Sequence, residues 1–248
     1  GQALRSQCTL ERELSGRLWL SAHQVVAHEQ TIEMYQDYAK MMRRNGMAEG
    51  EHDEQLHEAV RNLWVRHREA LAEQMGGPDK VARQHGRGKM DARARLAALV
   101  DPGSFREIGK IAGKASYDEN GDLTGVLPAP FLFGKATING RPVVATADDF
   151  TIRGGAADAG IARKMVQAEM MAHQLKLPII RMIDGTGGGG SVKTLEQIGA
   201  TYIPAVPGWG DVVTNLDTVP VVALALGPTA GLGAARTVAS HYSIMVKG

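Results

Sequence analysis

The chain has 248 residues, 44% of them hydrophobic, and a formal net charge of +1. That length can bury the core of one or two domains, and the near-neutral balance excludes nucleic-acid binding driven by bulk charge. Its one cysteine, Cys8, excludes an intrachain disulfide framework and a cysteine-rich metal site. No apolar run reaches the roughly 18 residues needed to cross a membrane, and the N-terminal residues carry no signal-peptide h-region. A reducing compartment is the simpler reading.

Residues 21–75 read as an antiparallel helical hairpin. Val25, His28, Ile32, Tyr35, Ala39 and Met42 recur at steps of three and four. Leu56, Val60, Leu63, His67 and Ala70 do the same, and Asn45, Gly46 and Gly50 supply the break. Residues 1–75 are therefore expected to form a packing or oligomerisation arm. Its histidines, His23, His28, His52, His57 and His67, form no HExxH pattern and are read as structural or solvated, with no metal bound.

Gly76, Gly77 and Pro78 end the arm and open a second domain, residues 76–248. A basic helix is predicted from Lys80 to Val100, carrying Arg83, Arg87, Lys89, Arg93 and Arg95 and closed by Asp101, Pro102 and Gly103. Residues 105–130 read as strand and loop, with a turn at Asn120 and Gly121. Residues 135–146 read as a β-hairpin, because Asn139-Gly140 suits a type I′ turn. A helix over 156–175 follows, with Ile161, Met165, Ala168, Ala172 and Leu175 on one face. Strands are expected at 178–183, 220–226 and 242–246. Strand–helix alternation implies parallel pairing and an α/β layer architecture.

Two of those strands run directly into glycines. Residues 178–183 lead into Asp184, Gly185, Thr186 and Gly187 to Gly190, and residues 220–226 lead into Gly227 and on to Gly231, Gly233 and Ala234. A third glycine turn, Arg153-Gly154-Gly155, lies between a strand and a helix and reads as a phosphate cradle or an ordinary β–α turn. Glycine permits close backbone approach, and adjacent parallel strands bring their carboxyl ends to one sheet edge, where ligands bind. Two such turns can aim backbone N–H groups at one developing negative charge.

Residues 185–190 formally match G-x-G-x-x-G. Asp211, at the spacing a dinucleotide fold requires, follows residues that are not strand-like, and a P-loop lysine is missing after Gly190. No side-chain catalyst stands out. Ser191 is not in a nucleophile elbow, His241 has no visible nucleophile, and Asp148 and Asp149 point to opposite faces of a strand.

Residues 86–107, which include Lys89, Asp91, Arg93, Arg95, Asp101, Pro102, Gly103, Phe105 and Glu107, closely resemble the opening signature of carboxyltransferase β-subunits of biotin-dependent acyl-CoA carboxylases, of the propionyl-CoA and methylcrotonyl-CoA type. The likeness continues through Asp149, Gly154 and Gly155, through Asp184 with its glycines, and through Gly227 to Ala234. It implies a crotonase-like α/β fold, a spiral of strand–strand–helix units preceded here by the helical arm. It also implies carboxyl transfer to the α (or vinylogous γ) carbon of an acyl-CoA. Carboxybiotin, carried on a partner's biotin carboxyl carrier and not on this chain, would supply both CO2 and the base. The thioester enolate would be held by backbone N–H groups of Gly187, Gly188, Gly233 and Ala234. Arg153, Gly154, Gly155, Gly189, Gly190 and Leu232 would bind acyl-CoA.

A biotin carboxylase partner, self-association with the site at a subunit interface, and a bacterial cytoplasmic or mitochondrial matrix setting follow from the same resemblance, with no nucleic acid and no membrane involved. So do two rivals: the carboxyltransferase of a sodium-pumping decarboxylase, and a non-catalytic assembly subunit of the same fold. The extra glycine before Gly190, and Leu232 where relatives carry glycine, depart from the family pattern. The family's second crotonase-like repeat, which forms the biotin side of the site, is expected to lie outside these residues.

Overall fold

The computed structural model describes residues 49–119, 123–155, 159–185, 196, 199 and 209–247. The first predicted helix, the Asn120-Gly121 turn, Gly187 to Gly190 and the stretch opening at Ser191 lie outside them. The chain divides into two units, Gly1–His67 with Ala115–Val126, and Arg68–Lys114 with Leu127–Gly248. No helix among the described residues is long and apolar enough to cross a membrane.

Helix α1 (Glu49–Glu73) already contains Gly50, one of the residues expected to break the hairpin. Of the expected seam, the side chains of Leu56, Val60 and Leu63 lie outside those described, His67 and Ala70 are exposed, and Ala72 in the last turn is buried. The single basic helix predicted for Lys80–Val100 is two helices, α2 (Pro78–His85) and α3 (Ala92–Leu99). Pro78 opens α2 where its missing N–H costs nothing, with Asp79 in the first turn and Arg83 and His85 in the last. Gly86 and Gly88, the latter at φ 72°, then stop it. Asp91 caps α3, its Oδ1 accepting from the Ala94 N–H at 2.9 Å while Oδ2 meets His85 Nε2 at 2.8 Å.

The main sheet has six strands in the order β1 (Arg106–Glu107), β4 (Phe131–Ile138), β5 (Arg141–Asp148), β6 (Ile179–Gly185), β7 (Val221–Thr229) and β8 (Tyr242–Met245). Strands β2 (Gly113–Tyr117) and β3 (Leu123–Pro128) form a separate two-stranded sheet. The predicted hairpin is β4–β5, with Asn139 at φ 50° and Gly140 at φ 73°, as a type I′ turn requires. Asp101 clamps it, accepting from the Asn139 and Gly140 N–H groups at 2.8 Å and the Thr137 hydroxyl at 2.6 Å. The Thr137 hydroxyl first, then the Gly140 N–H, hold the Asp101 carboxyl below its usual range. Strands β5, β6, β7 and β8 run parallel, as expected from strand–helix alternation.

Alternation along these strands splits the core into two layers. On one face Phe131, Phe133, Val144, Ile179 and Val221 pack against Met165, Ala168 and Ala172 of α4 (Ala159–Leu175). On the other, Leu132, Val143, Ala145, Ala147 and Met182 pack against Ala92 and Leu96 of α3. Leu175, predicted inward, is 47% exposed at the end of α4. Helix α5 (Trp209–Thr218) and the short α6 (Leu232–Val238) flank β7 in sequence. His241 joins β7 to α5: Nδ1 accepts from the Val221 N–H at 3.0 Å and Nε2 donates to the Leu216 carbonyl at 2.8 Å. One neutral tautomer satisfies both bonds, so the imidazole is a structural brace.

Candidate active site

Because β5, β6 and β7 are parallel neighbours, their carboxyl ends share one edge, and the described parts of the glycine turns meet there. Gly155 sits at φ 64°, and a Cβ on it would stand 2.5 Å from the Asp184 carbonyl oxygen. Only glycine fits both that backbone and that approach. Gly185 in turn faces the Gly155 carbonyl, and its own carbonyl accepts from the Ala230 N–H at 3.1 Å. Gly233 packs toward the same Gly185 oxygen and the Ile183 methyl. Gly227 lies against the Asp184 carboxylate so closely that any Cβ would overlap it. Three turns that are far apart in sequence therefore share one contact point, Gly185.

The sequence-predicted residues distribute as follows. Leu232, Gly233 and Ala234 form the first turn of α6. The Gly233 N–H donates to the Ala230 carbonyl at 3.0 Å, whereas Ala234 N–H makes no backbone hydrogen bond among the described residues. Ala234 is exposed and Gly233 buried. Arg153, Gly154 and Gly155 make a single 3-10 turn in which all three φ angles are positive, at 51°, 66° and 64°. It precedes α4 instead of opening it, and Arg153 is exposed. Gly187, Gly188, Gly189 and Gly190 lie outside the described residues.

Around these turns stands a buried set of arginine–carboxylate pairs that sequence reasoning missed. Asp184, on the α3 face of β6, meets Arg95 Nη1 at 2.7 Å, and Arg95 Nη2 also donates to the Leu226 carbonyl at 3.4 Å. Asp148, ending β5 on the opposite face, meets Arg236 Nη1 of α6 at 3.0 Å. Deeper in β6, Arg181 binds Glu169 of α4 through Nε and Nη2, both at 2.8 Å, while its Nη1 donates to the Arg236 and Ala239 carbonyls. Asn215 Nδ2 donates to Glu169 Oε2 at 2.9 Å. Burial pushes the Arg181 guanidinium down, with Glu169 opposing. The available signal was an arginine set in the apolar run of β6, which has to find a partner.

Asp148 and Asp184 are thus each paired with an arginine. Asp148 and Asp149 diverge as expected, Asp149 Oδ1 accepting from the Thr151 N–H and hydroxyl. Burial, opposed by those Thr151 bonds, raises its carboxyl. Lys164 of α4 is buried, and that burial brings its ammonium down to about 8. Among the described residues no cluster of His, Cys, Asp and Glu could hold a metal ion. Asp211 lies in the first turn of α5, not at the end of a strand, so it does not take the place of the acidic partner in a dinucleotide fold.

A mixed sheet with a carboxyl edge built from glycine turns places the molecule in the crotonase-like class expected from sequence, and a solved structure of that class superposes on it. That structure is "Transcarboxylase 12S crystal structure: hexamer assembly and substrate binding to a multienzyme core", with methylmalonyl-coenzyme A and methylmalonic acid bound. The likeness has a TM-score of 0.58 and 29% identity, over 75% of this chain and 35% of that one. The chain belongs to the carboxyl transferase domain family, which it matches over residues 83–248. It is 31% identical over 184 residues to the propionyl-CoA carboxylase beta chain of Roseobacter denitrificans, covering 73% of this chain and 34% of that protein. It is 30% identical over 176 residues to the methylmalonyl-CoA decarboxylase subunit alpha of Veillonella parvula, covering 69% and 33%. The chain therefore spans about a third of the length of these relatives.

Proposed function

We propose that this chain supplies the acyl-CoA side of a carboxyltransferase site in a biotin-dependent acyl-CoA enzyme, with residues 76–248 as the working domain and residues 1–75 as an assembly arm. The observation that carries this reading is the meeting of Gly155, Ala230 and Gly233 at Gly185. A thioester enolate needs fixed donors where its oxygen charge develops, and each such donor is worth about 2.7–4 kcal/mol of barrier. Ala234, whose N–H has no backbone partner among the described residues, is the better-placed donor of the second turn. Gly233 supports it by close packing, and its own N–H is already bonded to Ala230. Gly187 and Gly188 are the donors proposed for the first turn.

Arg153, Gly154, Gly155, Gly189, Gly190 and Leu232 are proposed to line the acyl-CoA path. The donor set fits a thioester because it combines backbone dipoles with carboxylates already neutralised by arginine. Biotin, held by a partner chain, would supply the carboxyl group and take the α-proton. This chain's residues then have only to hold the thioester, orient its α-carbon and stabilise oxygen charge. Biotin carboxylase and biotin carrier partners, homo-oligomeric assembly, and a bacterial cytoplasmic or mitochondrial matrix setting belong to the same proposal. The direction of transfer is set by those partners, since the relatives carry names of both carboxylases and decarboxylases.

The test is calorimetric titration of the full chain with propionyl-CoA and methylmalonyl-CoA. Saturable binding that free CoA competes away is expected. No heat at millimolar acyl-CoA would overturn the reading and favour an assembly subunit. Recovery of the complex through a tag on this chain then assigns direction: a soluble biotin carboxylase means carboxylation, a membrane protein decarboxylation.

A further inference from the structure

One carboxylate ties the end of β6 to α6. Asp148 is 6% exposed at the end of β5. Its Oδ1 accepts from Arg236 Nη1 at 3.0 Å, and its Oδ2 accepts from the backbone N–H of Asp184 at 3.3 Å. Asp184 immediately precedes Gly185 and the first glycine turn. Arg236 follows Ala234 by two residues, one helical step beyond the second. The other end of the link is equally constrained: the Arg236 guanidinium lies 5.1 Å from the centroid of the Phe131 ring, and its carbonyl accepts from Arg181 Nη1 at 3.2 Å.

We infer that Asp148 is a positioning residue whose two oxygens set the spacing between the Asp184–Gly185 end of β6, from which the first glycine turn departs, and α6, which opens on the second, with Arg236 as its counterpart. The inference rests on the reading of those turns as donors to one thioester oxygen. Its physical basis is that a carboxylate only accepts, so a single group can take both donors at once. A misplacement of about 1 Å between reacting groups costs on the order of 100-fold in rate, so a link of this kind controls turnover without touching substrate. Asparagine cannot replace it. Its amide offers one acceptor and one donor group, and either the Asp184 N–H or Arg236 would face an NH2. Arg236 uses a single N–H on Asp148, so a lysine keeps charge and contact where methionine keeps only bulk.

The experiment uses the complex isolated through a tag on the full chain, with Asp148→Asn, Arg236→Met and Arg236→Lys variants. Amide hydrogen exchange is read in peptides covering 183–186 and 229–236, and carboxyl transfer is read as kcat and KM for the acyl-CoA. Asp148→Asn and Arg236→Met should speed exchange in both peptides together. They should lower kcat on the order of 10- to 100-fold, with KM changed less than about threefold. Arg236→Lys should recover most of kcat.

Faster exchange in only one peptide would overturn the inference. So would a fall in kcat that merely tracks melting temperature and is not rescued by lysine. If the unsubstituted complex transfers no carboxyl group, the proposed function fails, and the exchange data still decide whether Asp148 couples the turns. If Asp148→Asn does not fold, the contrast between Arg236→Met and Arg236→Lys carries the same decision.

Discussion

Lys164 is the residue whose burial has the plainest consequence. It is 6% exposed within α4, and that burial pushes its ammonium down to about 8, Glu107 opposing the shift and Arg93 adding to it. An unfolded lysine titrates near 10.4, so below pH 8 the folded state carries a buried charge that the unfolded chain hydrates freely. The penalty is fully present below pH 8 and disappears as pH rises through the unfolded value near 10.4. Lys164→Met should therefore stabilise the protein at pH 7 by on the order of 2–3 kcal/mol, and urea midpoints of variant and parent should converge by about pH 11. A constant gap across that range would show that the gain comes from packing alone.

This scale was the least legible in sequence. Arg95 was grouped with Arg83, Arg87 and Lys89 as a local basic stretch, yet it is 6% exposed and pairs with Asp184 across α3 and β6. Its partner lies 89 positions along the chain, a distance no local pattern reports. Arg181 did carry a signal, a charge amid Ile179, Met182 and Ile183, but the identity of Glu169 as its partner depends on how α4 crosses the sheet.

At the scale of elements, local chemistry decided what could be read. The β4–β5 hairpin was legible because Asn139-Gly140 specifies its own turn. The parallel order of β5 to β8 was legible from strand–helix alternation. The break between α2 and α3 was not, because the charged and apolar spacing runs through it, and only Gly86, Gly88 and the cap at Asp91 oppose continuation. Burial pushes the Asp91 carboxyl up, but the Ala94 N–H and then the His85 ring hold it below its usual range. A depressed carboxylate contributes stability above the unfolded value near pH 4 and loses it as pH falls through the folded one. Asp91→Ala should thus cost about 1 kcal/mol at pH 7, and its urea midpoint should approach that of the parent by pH 3. Equal gaps at both pH values would mean that the charge on Asp91 adds nothing to the cap.

For the whole molecule, the informative fact is that turns separated by much of the chain rest on the same few backbone atoms. Adjacent parallel strands made that meeting foreseeable in outline, while its tightness depends on register, which a sequence does not print. Gly155 tests it. Alanine there would place Cβ 2.5 Å from the Asp184 carbonyl oxygen and hold an L residue at φ 64°, so the turn after β5 and the end of β6 must separate. Gly140 is the control: it has a similar φ of 73° but nothing within 4 Å of an added Cβ. Gly140→Ala should cost about 1–2 kcal/mol of stability through the backbone alone and leave acyl-CoA affinity unchanged. Gly155→Ala should weaken acyl-CoA binding on the order of 10-fold or more, about 1.4 kcal/mol, because it displaces the strand end from which the first donor turn departs. Titrations of both variants at matched folded fraction separate strain from site geometry. If Gly155→Ala binds as tightly as Gly140→Ala, the shared contact at Gly185 is a packing solution, and the donor turns are placed by something else.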